Sequence, residues 1–171
     1  GDLADHHPLL GARLDAAGTF INPQGETVGH AAFLQGSGGV LMRLDVRGLT
    51  PGWHGVHFHR VGDCSDGAEG FQASGPHIDP DGHQHGLLNP QGSERGDFPN
   101  IYATPDGRVT VELFRWGVGL YPSEANASEF GPYPLLDDDG FAVVIHENPD
   151  DHMSQPIGGA GARVACAAIT G

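Results

Sequence analysis

Val40, Met42, Leu44 and Val46 alternate with Leu41, Arg43, Asp45 and Arg47, the two-residue period of a strand with one buried face. The pattern returns as Val109, Val111 and Leu113 against Arg108, Thr110 and Glu112, just after a Pro105-Asp106-Gly107 turn. Shorter apolar runs at 12–20, 26–35, 52–60, 100–104, 141–146 and 162–169 bring the expected strands to about eight. No segment keeps a helical period between caps. Strands divided by Gly, Pro and Asp turns, with no helices to make crossovers, predict an all-β antiparallel sandwich or barrel. Neither a repeat nor a linker interrupts the chain, so 1–171 reads as one domain, with 1–11 as a flexible N-terminal arm. Three long stretches, 61–99, 115–140 and 147–161, lack strand patterning, and loops of that length in a compact domain are usually functional or disordered.

Composition narrows the chemistry. Gly 28 and Pro 13 demand many turns, while 38% hydrophobic residues leave enough to fill a core. The formal charge is −14 and every one of the 8 basic residues is arginine, so no basic patch exists to neutralise nucleic acid or an anionic membrane. No apolar run approaches the ~20 residues of a membrane helix. The chain begins without a signal-peptide pattern, so a secreted protein would be in its mature form. The 11 histidines are the compositional feature that calls for explanation, because neutral imidazole is the commonest metal ligand.

His57 and His59 lie two apart in a predicted strand and so share a face, whereas His54 projects to the other face and reads as structural. The stretch from Ser74 to Asp97 adds His77, His83 and His85 with Asp79, Asp81 and Asp97 in a glycine-rich loop. A late apolar strand ends in His146, followed by Asp150 and Asp151, and Arg163 precedes Cys166 by three residues. Met42 reads as core, His6 and His7 as an exposed pair, and His30 and His152 carry no assignment.

The segments GWHGVHFH, GPH, GDFPNIY, VVIHENPDD and GGAGARVAC, in this order and at compatible spacings, resemble the copper–zinc superoxide dismutase family from about Ala12 to Ile169. Cys64, five residues after His59, and HGLLNP within the loop look like its bacterial, periplasmic branch, which implies a periplasmic or secreted protein. The resemblance implies an eight-stranded antiparallel Greek-key barrel with long metal-site loops, agreeing with the independent strand count. It makes His57, His59, His77 and His146 copper ligands, with His77 shared between copper and zinc. It makes His85 and Asp97 zinc ligands together with a third histidine, and here the sequence departs, because that position is Glu94. Three outcomes stand open: Glu94 ligates zinc, His83 substitutes, or zinc binds weakly or not at all. The resemblance further makes Asp150 the carboxylate linking the two metal sites, Arg163 the guanidinium beside copper and Cys64–Cys166 a disulfide. The implied activity is disproportionation of superoxide by a monomer or homodimer. The competing reading is a copper-binding or copper-delivery module of the same fold, against which stands the retention of all four copper positions and Arg163.

Overall fold

The structure is a computed structural model and describes residues 14–121 and 131–171. All of the expected arm at 1–11, with His6 and His7, and part of the 115–140 stretch therefore lie outside the described residues.

The alternating segments form strands where their patterns place them. These are β1 (Ala16–Ile21), β2 (Thr27–Gln35), β3 (Gly39–Val46), β4 (Gly52–His54), β5 (Val56–His59), β6 (Ile101–Ala103), β7 (Val109–Trp116), β8 (Val118–Gly119), β9 (Tyr133–Pro134), β10 (Phe141–His146) and β11 (Arg163–Ile169). The principal sheet has 7 strands in the order β5-β10-β11-β1-β2-β3-β7, all paired antiparallel. It curls into a half-barrel around one large apolar cluster that includes Phe20, Phe33, Met42, Leu44, Phe58, Phe98 and Phe141. β4 leads into the β5 edge and β6 leads into the β7 edge, and the β4–β6 pair joins the two edges at one end.

The expected count of eight strands is corrected by two local features. The run 52–60 divides at Gly55, whose N–H turns to the Asn148 carbonyl instead of a strand neighbour, giving β4 and β5. The 115–140 stretch contributes β8 and β9, a two-residue parallel pair too short to leave a periodic trace.

In β3 the buried set is Val40, Met42, Leu44 and Val46, as the alternation requires. β5 and β10 behave differently, since every residue of both strands is buried. Their outer face is covered by the long loop that follows β5, through a second apolar cluster of Cys64, Phe71, Ala142, Val144 and Cys166. The same loop also occupies the free edge of β5: Phe58 N–H donates to Gly96 O, Ile78 N–H to Phe58 O and Arg60 N–H to Pro76 O. An edge strand with two histidines thus becomes buried, its backbone bonds satisfied by the loop that carries the other polar residues. The Cys64–Cys166 disulfide, implied by the resemblance, is present and ties this loop to β11.

Candidate metal centre

Strand parity sets the first half of the site. His57 and His59 leave β5 on one face, His146 ends the neighbouring β10, and His77 comes from the loop, bridged backbone to backbone with His59. All four imidazoles are at most 7% exposed. Ligand atoms from these four residues lie within 4.8 Å of one another.

On each ring one nitrogen is held and the other is free. His57 Nε2 donates to Asp150 Oδ2 (2.7 Å), His59 Nδ1 to Gly75 O (2.7 Å), His77 Nδ1 to Glu94 Oε1 (2.7 Å) and His146 Nδ1 to Gly161 O (3.0 Å). The remaining nitrogens, His57 Nδ1, His59 Nε2, His77 Nε2 and His146 Nε2, are buried with no hydrogen-bond partner. Four orphaned imidazole nitrogens in one place would cost the fold several kcal/mol unless something binds them, at about 1–3 kcal/mol per unsatisfied group. Burial holds the protonated forms off: it pushes the His57 pKa down to about 4 and that of His146 down to about 3, and lowers that of His59 well below its ordinary value. Neutral rings with one proton fixed by a partner are the state in which imidazole ligates a cation.

The second group shares His77. Ligand atoms of His57, His77, His85 and Asp97 also fall within 4.8 Å of one another. His57 is the poor member of this set, since its free nitrogen belongs to the first group and its Nε2 is bonded to Asp150. Glu94 fits better. Its Oε1 lies 2.7 Å from His77 Nδ1 and 2.9 Å from His85 Nδ1, and Asp97 Oδ1 lies 2.7 Å from the same His85 atom. Burial works downward on the His85 pKa, but the hydrogen bonds its ring donates to Asp150, Asp97 and Glu94 outweigh it and push it up to about 11. Burial likewise opposes ionisation of Glu94 and Asp97, yet their bonds to these histidines keep both pKa values below the ordinary carboxylate range. His83, the other loop histidine, is exposed, with its Nδ1 3.1 Å from Ser93 O, and belongs to neither group.

Asp150 joins the two groups from behind. Its carboxylate accepts from His57 Nε2 and from His85 Nε2 (2.9 Å to Oδ2), and these bonds hold it far below the ordinary carboxylate range against the pull of burial. Asn100 clasps its backbone in both directions, and the His152 N–H adds a bond to Oδ1. Gly158, at φ +66°, packs so closely that a Cβ there would overlap Asp150 Oδ1, which is why no side chain stands at that position. His54 is structural, as its parity suggested: it is buried, with Nδ1 2.7 Å from His146 O and Nε2 2.7 Å from Thr50 O.

Arg163 lies opposite His146 in the β10–β11 register and shares the Gly75 carbonyl with His59. Its charge disfavours protonation of His59 and His146. Four further positioning residues were not singled out from the sequence. Asn100 orients Asp150, Gln155 brackets His85 through its backbone N–H and C=O, Arg115 donates to the Glu94 and Arg95 carbonyls, and Ser74 bonds Arg163. Each is an isolated polar residue, and no spacing pattern marks it.

Residues 14–169 match the family described as copper/zinc superoxide dismutase. A superoxide dismutase [Cu-Zn] of Caulobacter vibrioides is 45% identical over 146 residues, covering 85% of this chain and 79% of that protein. Among solved structures, a double mutant of a superoxide dismutase-like protein from Bacillus subtilis superposes with a TM-score of 0.81 at 32% identity, covering 91% of this chain and 97% of the other. The Cu/Zn superoxide dismutase of Brucella abortus gives 0.66 at 27% identity, with coverages of 89% and 97%. Fold, histidine geometry and sequence similarity agree, and the chain belongs to the copper/zinc superoxide dismutase family.

Proposed function

We propose that the protein is a superoxide dismutase: two superoxide anions and two protons give dioxygen and hydrogen peroxide. The observation that carries this reading is the convergence of four buried, unpartnered imidazole nitrogens beside a half-buried arginine. Copper fits that donor set, taken by His57 Nδ1, His59 Nε2, His77 Nε2 and His146 Nε2. Zinc fits the second, taken by Nδ1 of His77 and His85 with the Asp97 and Glu94 carboxylates, a set of two imidazoles and two carboxylates within the range zinc accepts. When bound, copper supplies a one-electron couple, and zinc a redox-inert positive charge.

The protein's own residues do the rest. His59 and His146 are locked in one tautomer by backbone carbonyls, and His57 by Asp150, so their free nitrogens are presented without rearrangement. His77 faces the copper set with Nε2 and the zinc set with Nδ1, and is therefore the imidazole placed to hold and release a proton at Nε2. Arg163 supplies a permanent positive charge for an anionic substrate. With −14 on the whole chain, attraction must be local to that guanidinium. We further place the protein in the periplasm or outside the cell, a reading supported by the Cys64–Cys166 disulfide.

The test is superoxide decay by pulse radiolysis on copper-loaded protein, with and without zinc. Rapid, copper-dependent decay is expected, and it should drop sharply in Arg163→Glu with copper content unchanged. Stoichiometric copper with no acceleration would leave only a copper-binding module.

A further inference from the structure

Among the described residues, every hydrogen bond of the Arg163 side chain runs from one nitrogen. Nη1 donates to Phe71 O (2.9 Å), Ser74 Oγ (2.9 Å) and Gly75 O (3.0 Å), while Nε and Nη2 make no hydrogen bond among the described residues. Three acceptors around two N–H bonds form a cup. The guanidinium edge left over is the one where Nε–H and an Nη2–H point the same way, the fork that suits a small anion.

Ser74 is the only side chain in the cup, and it is fully buried. Its hydroxyl donates to Phe71 O (2.7 Å), which turns an oxygen lone pair toward Nη1. Ser74 N–H bonds the same carbonyl at 3.2 Å. Phe71 has φ 57°, left-handed backbone that is unfavourable for a non-glycine residue. Ser74 therefore holds a strained turn with its carbonyl aimed at the arginine. The third wall, Gly75 O, also accepts from His59 Nδ1, so one short segment sets both a proposed copper ligand and the arginine.

We infer that Ser74 is a positioning residue of the enzyme: its hydroxyl seats the Arg163 guanidinium so that the Nε/Nη2 edge stays free for the substrate anion. This rests on the reading of Arg163 as the anion-placing group. The two ideas separate experimentally with copper-loaded wild type, Ser74→Ala, Ser74→Thr and Arg163→Met. Azide affinity is read from the cupric absorption band, kcat/KM by pulse radiolysis and copper by metal analysis.

In Ser74→Ala the azide Kd should rise, and kcat/KM fall, by about 10-fold, the lower end of the scale for one lost hydrogen bond to a charged group. Copper content should not change. Ser74→Thr, which keeps the hydroxyl, should recover most of the loss; if its extra methyl prevents folding, the alanine result decides alone. Wild-type azide affinity in Ser74→Ala, with weakened affinity in Arg163→Met, overturns the Ser74 role and leaves that of Arg163 standing. Unchanged affinity in Arg163→Met overturns both. A Ser74→Ala defect that merely tracks lost copper also overturns the inference, since the hydroxyl would then only support the fold.

Discussion

In the proposed zinc group Glu94 adds a second carboxylate beside Asp97, and with it a price in protons. In the metal-free protein, His85 Nδ1 faces Glu94 and Asp97 while Nε2 faces Asp150, and the three acids hold the ring protonated with a pKa of about 11. A metal ion at Nδ1 must displace that proton, so zinc affinity should rise with pH above neutrality and binding should release protons. The same carboxylates offset the charge of a divalent ion, which leaves the site neutral overall and harder in character than one with three imidazoles. Glu94→Ala is expected to weaken zinc binding by at least about 10-fold, with copper content unaltered. Glu94→His should keep zinc with a shallower pH dependence. Calorimetry in buffers of different ionisation enthalpy measures both quantities, and zinc binding by Glu94→Ala at wild-type strength would remove Glu94 from the ligand set.

At the scale of elements, the first half of the loop between β5 and β6 is fixed by two anchors to β11. Cys64 is bonded to Cys166 on β11, and Arg163 on the same strand grips residues 71, 74 and 75. The disulfide spans 102 residues, a closure for which chain entropy alone gives a ceiling of about 4.7 kcal/mol. Replacing both cysteines by serine should therefore lower Tm and, because the arginine cup lies in the freed loop, weaken azide binding as well. Calorimetry and azide titration read the two effects; a variant with lowered Tm and unaltered azide affinity would show that the cup holds itself. These anchors also explain what could be read in advance. β3 and β7 were legible because a half-buried strand writes its burial into a two-residue alternation, and His57 and His59 followed from the same parity. His77, His85, Asp97 and His146 stood out as a histidine- and acid-rich set, but their ligand roles were legible only through the resemblance to a family, as was the oddity of Glu94. Ser74, Asn100, Gln155 and Arg115 reach the site through contacts 20 or more residues distant in sequence, from 20 for Arg115 to 89 for Ser74, and such contacts leave no periodicity to find.

For the whole molecule, the buried imidazoles make the metal-free fold sensitive to pH in both directions. His57 and His146 have folded pKa values of about 4 and about 3, and His59 is also lowered, whereas an unfolded histidine titrates near 6.5. Between 6.5 and 4 the unfolded chain takes up protons that the folded chain refuses, so stability falls as pH falls across that window. At His57 alone the difference is on the order of 3 kcal/mol. Glu94, Asp97 and Asp150, all depressed in the fold, extend the loss below the ordinary carboxylate range. His85 acts oppositely: its raised pKa adds stability that is complete below 6.5 and is lost as pH rises toward about 11. The −14 charge pushes the other way at low pH, because protonation relieves repulsion, but those charges are dispersed and screened over ~10 Å at 0.1 M salt, whereas the imidazoles are buried together. The local effect should win. Metal-free protein at 0.1 M salt is therefore expected to show a Tm maximum near neutrality, falling toward pH 4 and again toward pH 10. The alkaline fall should disappear in His85→Gln while the acid fall persists. Scanning calorimetry across that range checks both limbs, and a metal-free Tm that rises steadily from pH 7 to pH 4 would show that surface repulsion outweighs the buried cluster.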